Sequence, residues 1–274
     1  MEILPPLHLS LDALADDLTA CFEGYIMPVQ FTSQLLAGMI RVDSIDLASS
    51  YVGVEGDRVI GAILVARRDK VSRIAAMGIV ASARRQGLGK KMLYQAIEDC
   101  KGRGDRRLVL EVIEQNPAAI FLYESVRFTI EWRLLGFNTT LRATPHAAEL
   151  QDASLQEVAA AIRTGGDAAA SWSMSAASVE QMALPNFGAR CGDAYGVLGL
   201  AGEEVLGCRS MGFAAKPNVE SAKQWIAALA TKYPGRKLRM PAFFPEPVFG
   251  EPLTGAGMER DEISQFQMAM RLRD

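Results

Sequence analysis

Apolar positions in "SLDALADDLTACF" (10–22) fall at helical spacing, and a second run of that kind follows a short loop with Pro28, where Thr32 or Ser33 can cap it. The period then changes. "SSYVGVEG" and "RVIGAILVARR" are apolar, β-rich runs joined by Glu55-Gly56-Asp57, which predicts a hairpin, and "VSRIAAMGIVA" predicts a further strand. After "RRQGLGKK" (84–91), the stretch "KMLYQAIEDC" puts Met92, Leu93, Ala96, Ile97 and Cys100 on one helical face, so the glycines sit between a strand and a helix. A turn at "GRGD" leads to the buried strand "RLVLEVI". Asn116-Pro117 then opens a short helix, with Asn as N-cap and Pro at the first helical position, and "FTIEWRLLGFN" is a further strand. The order α-α-β-β-β-α-β-α-β predicts a mixed α/β lobe.

From about Arg142 to Ser154 the chain turns polar and contains Pro145, which predicts a linker (142–154) between a first domain (1–141) and a second lobe (155–274). The second lobe repeats the first faintly. "VEGDRVIG" (54–61) and "LAGEEVLG" (200–207) share one pattern of apolar, Gly, acidic, Val, aliphatic and Gly positions, and "NVESAKQWIAALATKYPGRKLRM" parallels the helix and strand after the first glycine loop. At the place of that loop the copy reads "FAAKPNVESAK", without glycines and with Pro217 among them. Trp172, Phe187, Tyr195, Phe243, Phe244 and Phe249 read mostly as core of this lobe, and the final strand, Phe266 to Leu272, as part of its sheet.

At 274 residues, 49% hydrophobic and 22% charged, the chain has the composition of an ordinary soluble globular protein. The start lacks the basic stretch of a secretory signal, and runs such as "VIGAILVA" are too short to span a bilayer, so a cytoplasmic protein without a membrane partner is expected. Cys21, Cys100, Cys191 and Cys208 lack CxxC spacing and read as free buried thiols; His8 and His146 stand apart from other ligands, so no metal is expected. The net charge of −3 hides an asymmetry: between Arg67 and Arg107 there are 12 Lys and Arg against 4 Asp and Glu, a local +8 that leaves −11 elsewhere. Such a segment suits a phosphorylated ligand, with a cationic one on the acidic body. Aromatics do not interleave the arginines, so nucleic acid is not an expected partner. Monomer and homodimer both stay open.

A strand ending in a glycine loop and running into a helix aims backbone N–H groups and the positive end of a helix dipole at one place, which attracts anions. Gly87 and Gly89 remove side chains that would block close approach, and Arg84, Arg85, Lys90 and Lys91 add charge. No Lys-Ser or Lys-Thr follows the last glycine, as a P-loop requires, and the three glycines of a dinucleotide site are absent. Taken alone, the stretch is equally a solvated turn.

Arg84-x-x-Gly87-x-Gly89 after a "GIV" strand resembles the pyrophosphate-binding signature of the GNAT superfamily of acyl-CoA-dependent N-acyltransferases, and the order of elements agrees. "LEVIEQNPAAIFLYESVRF" is similar to a later segment of that family, and the resemblance spans most of residues 10 to 140. Arg127 departs from it, standing where the family pattern has Gly. The resemblance implies a mixed, mostly antiparallel sheet flanked by helices, followed here by a smaller, degenerate GNAT-like lobe. It implies acetyl-CoA as co-substrate, with Gly78, Ile79 and Val80 offering backbone groups to the pantetheine arm. Arg84, Arg85, Gln86, Gly87, Leu88, Gly89 and Lys90 would hold the pyrophosphate by their amides, Asn116 would touch the pantetheine or cap its helix, and Tyr123 would be general acid beside the thioester sulfur.

The general base is expected among Glu111 and Glu114, with Glu23, Tyr25 and Asp46 on the acceptor side. The activity so implied is transfer of an acetyl group to an amine of a small molecule or peptide by direct attack. A non-catalytic acyl-CoA sensor and a nucleotide-phosphate enzyme are the competing readings.

Overall fold

The computed structural model describes residues 2–143, 148–166 and 170–273, which leaves Pro145 and His146 of the expected linker outside the described residues. The chain divides into two compact units, Met1–Glu131 with Gln267–Asp274, and Trp132–Phe266. Among the described residues no helix is long and apolar enough to cross a membrane.

The first unit contains strands β1 (Glu2–Leu4), β2 (Tyr51–Glu55), β3 (Arg58–Arg68), β4 (Val71–Ile79) and β5 (Arg107–Ile113), with helices α1 (Leu11–Cys21), α2 (Ser33–Asp43), α3 (Leu88–Arg103) and α4 (Pro117–Glu124). β1 through β4 pair antiparallel in chain order, and β5 joins β4 in parallel. The expected hairpin is β2–β3, turned at Gly56 with φ +59°. Ser10 caps α1 by accepting from Ala13 N, and Thr32 caps α2 by accepting from Leu35 N. β1 escaped the sequence reading because three residues before two prolines show no period.

The N-terminus of α3 is seated by glycines outside the glycine loop. Gly53 and Gly61 are cross-strand partners. A Cβ on Gly61 would stand 2.6 Å from Ile79 Cδ1 and 3.2 Å from both Leu88 Cδ2 and Met92 Sδ, so the bare backbone forms a floor for those two helix residues. Met92, Leu93, Ala96, Ile97 and Cys100 are buried, as their spacing predicts.

The second unit holds most of β6 (Thr129–Thr140), then β7 (Gln151–Ala153), β8 (Phe187–Cys191), β9 (Ala194–Ala201), β10 (Val205–Phe213) and β11 (Lys237–Pro245), and the first part of β12 (Glu259–Arg271). Its helices are α5 (Leu155–Gly166), α6 (Ala176–Glu180), α7 (Val219–Lys232) and α8 (Glu246–Gly255). The sheet runs β6-β11-β10-β9-β8-β7, antiparallel except for the β10–β11 pair. The second hairpin, β9–β10, turns at Gly202 with φ +70°. Trp225, Phe137, Phe213, Phe244 and Phe249 anchor the core of this unit, and Phe187 and Phe243 pack against it.

Two expectations change. Part of the segment expected as linker is strand β7, paired with β8. Glu246–Gly255, for which the pattern predicts no element, forms α8: Pro247 falls in the first turn, where it displaces no helix bond, while Pro252 stands inside the helix. The end of the chain from Gln267 belongs to the first unit rather than to the second lobe's sheet. There Thr129 Oγ1 donates to Ala269 O at 3.4 Å and Gln267 Nε2 to Glu131 Oε2 at 3.3 Å.

Candidate functional site

β4 and β5 are paired only from Val71↔Arg107 to Ile74↔Leu110, although β4 continues to Ile79 and β5 to Ile113. Past that point the two strands splay, and the main chain of residues 75–79 has its β5 side unpaired. Gly78, Ile79 and Val80 lie on this half-exposed edge.

The edge leads straight into the glycine loop. Gly87 is the N-cap of α3 with φ +83°, no side-chain cap bond and no acidic residue in the following turn. Arg85 is also left-handed at φ +63°, so turn geometry recurs on either side of Gln86. Among the described residues nothing accepts a hydrogen bond from the amides of Arg85 through Lys90, whereas Lys91 N already bonds to Gly87 O at 3.1 Å. Unclaimed amides at an uncapped helix start, reinforced by the dipole and by Lys90 and Lys91, are a binding place for an anion. Gly87 has open space where a Cβ would stand, so its requirement is conformational; at Gly89 a Cβ would stand 3.1 Å from Met77 Cε, so its requirement is room.

Arg84 behaves differently from the expectation of added charge for the anion. Its Nε donates to Ile79 O at 2.8 Å and its Nη2 to Glu23 O at 2.5 Å and Cys21 O at 3.4 Å. The guanidinium thus caps the C-terminal carbonyls of α1 and ties the α1–α2 loop to the end of β4 through Nε and Nη2. Gln86 likewise turns its side-chain amide to Ser82 O, at 2.9 Å. Gly78 serves the same junction, because a Cβ there would lie 2.9 Å from Cys21 Cβ, Cys21 O and Phe22 Cδ2.

On the opposite flank, Asn116 caps α4 by accepting from Ala119 N at 3.2 Å, and its side chain is also hydrogen-bonded to Tyr25. Tyr123 is buried in the last turn of α4, 4.0 Å from Met77 Sδ, with its ring edge-on to Phe128. Burial first, and the neighbouring Tyr25 second, hold its phenol well above the usual tyrosine range. Burial likewise raises Tyr25, against the pull of its Asn116 bond. The structure therefore brings Tyr25, Asn116, Tyr123 and Met77 together beside the splay. The Tyr25–Asn116 link had no signal in the sequence.

The expected carboxylates fare unequally. Glu111 Oε2 accepts from Arg73 Nε at 2.6 Å, and Arg73 Nη1 lies 3.3 Å from Asp43 Oδ2. Burial opposes the charge on Arg73, but Glu111 and Asp43 outweigh it and hold the guanidinium above its ordinary pKa. Asp46 is spent on structure, accepting from Ala48 N, Ser49 Oγ and Arg67 Nη1, of which the arginine bond is 2.9 Å. Glu114 is partly buried just past β5, and Glu23 is exposed. Arg73 carried a legible signal, an arginine inside an apolar strand.

Two GNAT-like units in one chain is the class this fold defines. A putative acetyltransferase from Pyrococcus horikoshii superposes with a TM-score of 0.67 over 98% of this chain and 89% of its own, at 13% identity. A tandem GNAT protein from the clavulanic acid biosynthesis pathway superposes with a TM-score of 0.63 over 100% and 99%, at 14% identity. At such identities the likeness is one of fold. Residues 11–128, most of the first unit, match the model of the acetyltransferase (GNAT) family. N-alpha-acetyltransferase 30 of Schizosaccharomyces pombe is 34% identical over 84 residues, a match covering 29% of this chain and 56% of that relative.

Proposed function

We propose that the chain is an N-acetyltransferase that uses acetyl-CoA to acetylate an amine of a small molecule or peptide by direct attack, with an acetyltransferase domain over 1–141 and a degenerate GNAT-like lobe over 155–274. The observation that carries the reading is the run of unclaimed amides from Arg85 to Lys90 at an uncapped helix start, beside a strand edge opened by the splay. Those amides would hold the pyrophosphate, and the backbone of Gly78, Ile79 and Val80 the pantetheine arm, with Asn116 at its far side. Acetyl-CoA supplies a thioester whose carbonyl an unprotonated amine can attack.

The chain's own part is to orient, to polarise and to move protons. Tyr123 keeps its proton until negative charge develops near its hydroxyl, which suits a general acid for a departing thiolate. Glu111 and Glu114 are the candidate bases for the ammonium proton. Glu111 is already engaged by Arg73 Nε, so Glu114 is the first to test. The four thiols are free and buried, which fits a reducing compartment, and we place the protein in the cytoplasm.

Calorimetric titration with CoA tests the donor site: binding is expected, and it should be lost when Gly87 and Gly89 are both changed to bulky residues. Equal binding by that variant refutes the assignment. The engagement of Glu111 favours one second reading, a non-catalytic acyl-CoA sensor. In that case no amine panel releases free thiol from acetyl-CoA and Tyr123→Phe changes nothing.

A further inference from the structure

The first unit holds a second cationic site that acetyl transfer does not use. A cleft of about 640 Å³ is lined by Lys101 at the end of α3, Arg107 at the start of β5, Arg127 and Thr129 after α4, Glu131 on β6 and Arg271 on β12. Four cations thus face one carboxylate. Glu131 pairs with Arg107, and Lys101 pairs with Glu98 at 2.8 Å on the exposed face of α3. Among the described residues Arg127 and Arg271 have no carboxylate partner, and both are exposed. The elements that carry the lining are tied together by Leu272 N, which bonds to Arg106 O at 2.9 Å, and by Arg273 Nη2, which donates to Lys101 O at 2.8 Å.

The backbone gives independent support. Arg127 has φ +76°, a left-handed conformation that a long L side chain rarely adopts. Lys101 and Arg103 have an ordinary reason to end α3, since cations there complement the helix dipole. Arg107 and Arg271 lie on strands and have no such reason.

We propose that this cleft binds a phosphate-rich small molecule through its polyphosphate chain. Guanidinium forks match phosphate oxygens in pairs, and a cleft of this volume is of nucleotide size. None of the lining residues is aromatic, so a base or ring has nothing to stack on and the phosphates are what is read. The site is not the acyl-donor loop, because cleft and loop lie at opposite ends of the 16-residue α3, about 24 Å apart. It stands whether or not the chain transfers acetyl groups.

The test is calorimetric titration of the full chain with sodium tripolyphosphate, in the presence of saturating CoA so that the loop at Gly87 is not the site measured. One equivalent is expected to bind, more weakly as salt rises, and ATP should bind about as well. Arg127→Gly with Arg271→Gln should lower the affinity roughly tenfold or more while leaving CoA binding intact. Arg127→Gly also relaxes the backbone, so loss of binding cannot be blamed on misfolding. The proposal is overturned by no binding at millimolar ligand, by binding of several equivalents or by binding indifferent to the double substitution. ATP far tighter than tripolyphosphate overturns recognition through the phosphates, and a short single-stranded RNA that binds tighter than both, and loses binding in the same variant, overturns the small-molecule class.

Discussion

Glu111→Gln separates a structural role from a chemical one. In the native unit Arg73 Nε is 2.6 Å from Glu111 and Nη1 is 3.3 Å from Asp43, and the three side chains are only 10%, 6% and 14% exposed. At 3.3 Å the Asp43 contact is an ion pair without a well-directed hydrogen bond, so neutralising Glu111 removes the better partner of a buried guanidinium. Breaking one side of a buried ion pair costs about 3–5 kcal/mol. For a unit of this length that lowers the thermal midpoint by about 10–17 °C.

Removing both charges in Arg73→Met with Glu111→Leu should cost less than the sum of the two single changes, since no unpaired guanidinium is left behind. Circular dichroism melts of the wild type, both singles and the double measure this directly. A shift under about 2 °C for Glu111→Gln, or strict additivity in the double, refutes the argument. Kinetics taken well below the lowered midpoint then decide the chemical role. A general base lost from the reaction lowers kcat by about 10²–10⁴, and a merely structural carboxylate does not.

Gly78→Ala places a Cβ 2.9 Å from backbone and side-chain atoms of Cys21 and Phe22, and should cost about 1–3 kcal/mol in a melt while raising the KM for the amine, because α1 must back away from β4. Arg84→Ala releases the α1–α2 loop from Ile79 O and Glu23 O; its expected signature is a larger rise in the KM for the amine than in the Kd of CoA, measured by initial rates and titration. Tyr123, held above the usual phenol pKa, stays protonated through the working range, so Tyr123→Phe should lower kcat at every pH below 10 without moving the basic limb of the profile. The sign for stability follows: the native pKa exceeds the unfolded value of about 10, so its contribution is whole below that pH and is lost as pH rises above it. Phenolate absorbance should therefore show Tyr123 ionising only with alkaline unfolding, as a step that Tyr123→Phe removes from the late-titrating tyrosines.

The glycine loop and its flanking elements were legible because each of their determinants is local. A strand run, two glycines, an apolar helical face and an Asn-Pro cap all lie within short windows, and their structural counterparts stand where the pattern put them. What escaped depends on side chains meeting across the fold. Arg73 and Glu111 are 38 positions apart, and Arg84 folds back over 61 residues to Glu23, so no window in the sequence contains either pair. Arg84 is the instructive case: the charge beside the glycines was read as ligand charge, yet the nearest unsatisfied acceptors were the carbonyls that end α1. α8 was hidden by proline and glycine letters whose meaning depends on their position in the turn.

The two units differ at the opening where the donor site is proposed. In the second, β10 and β11 pair in parallel only from Val205↔Lys237 to Gly207↔Arg239 and then part, as β4 and β5 do. The opening alone does not make an anion site. Asn218 caps α7 with its own side chain, accepting from Ser221 N at 2.9 Å, and Glu220 sits in the first turn. One amide is thereby claimed and a negative charge stands where a phosphate would come, whereas α3 begins with an uncapped glycine and two lysines. The space beside the splay is filled too: Phe213 packs on Phe249, which meets Phe244 edge-on at 5.3 Å, and the cavity left there is about 20 Å³. That is room for a water molecule and far too little for a pantetheine arm. Saturation at one CoA per chain is therefore expected, and a titration that reaches two would mean that neither the cap nor the aromatic plug closes the second opening.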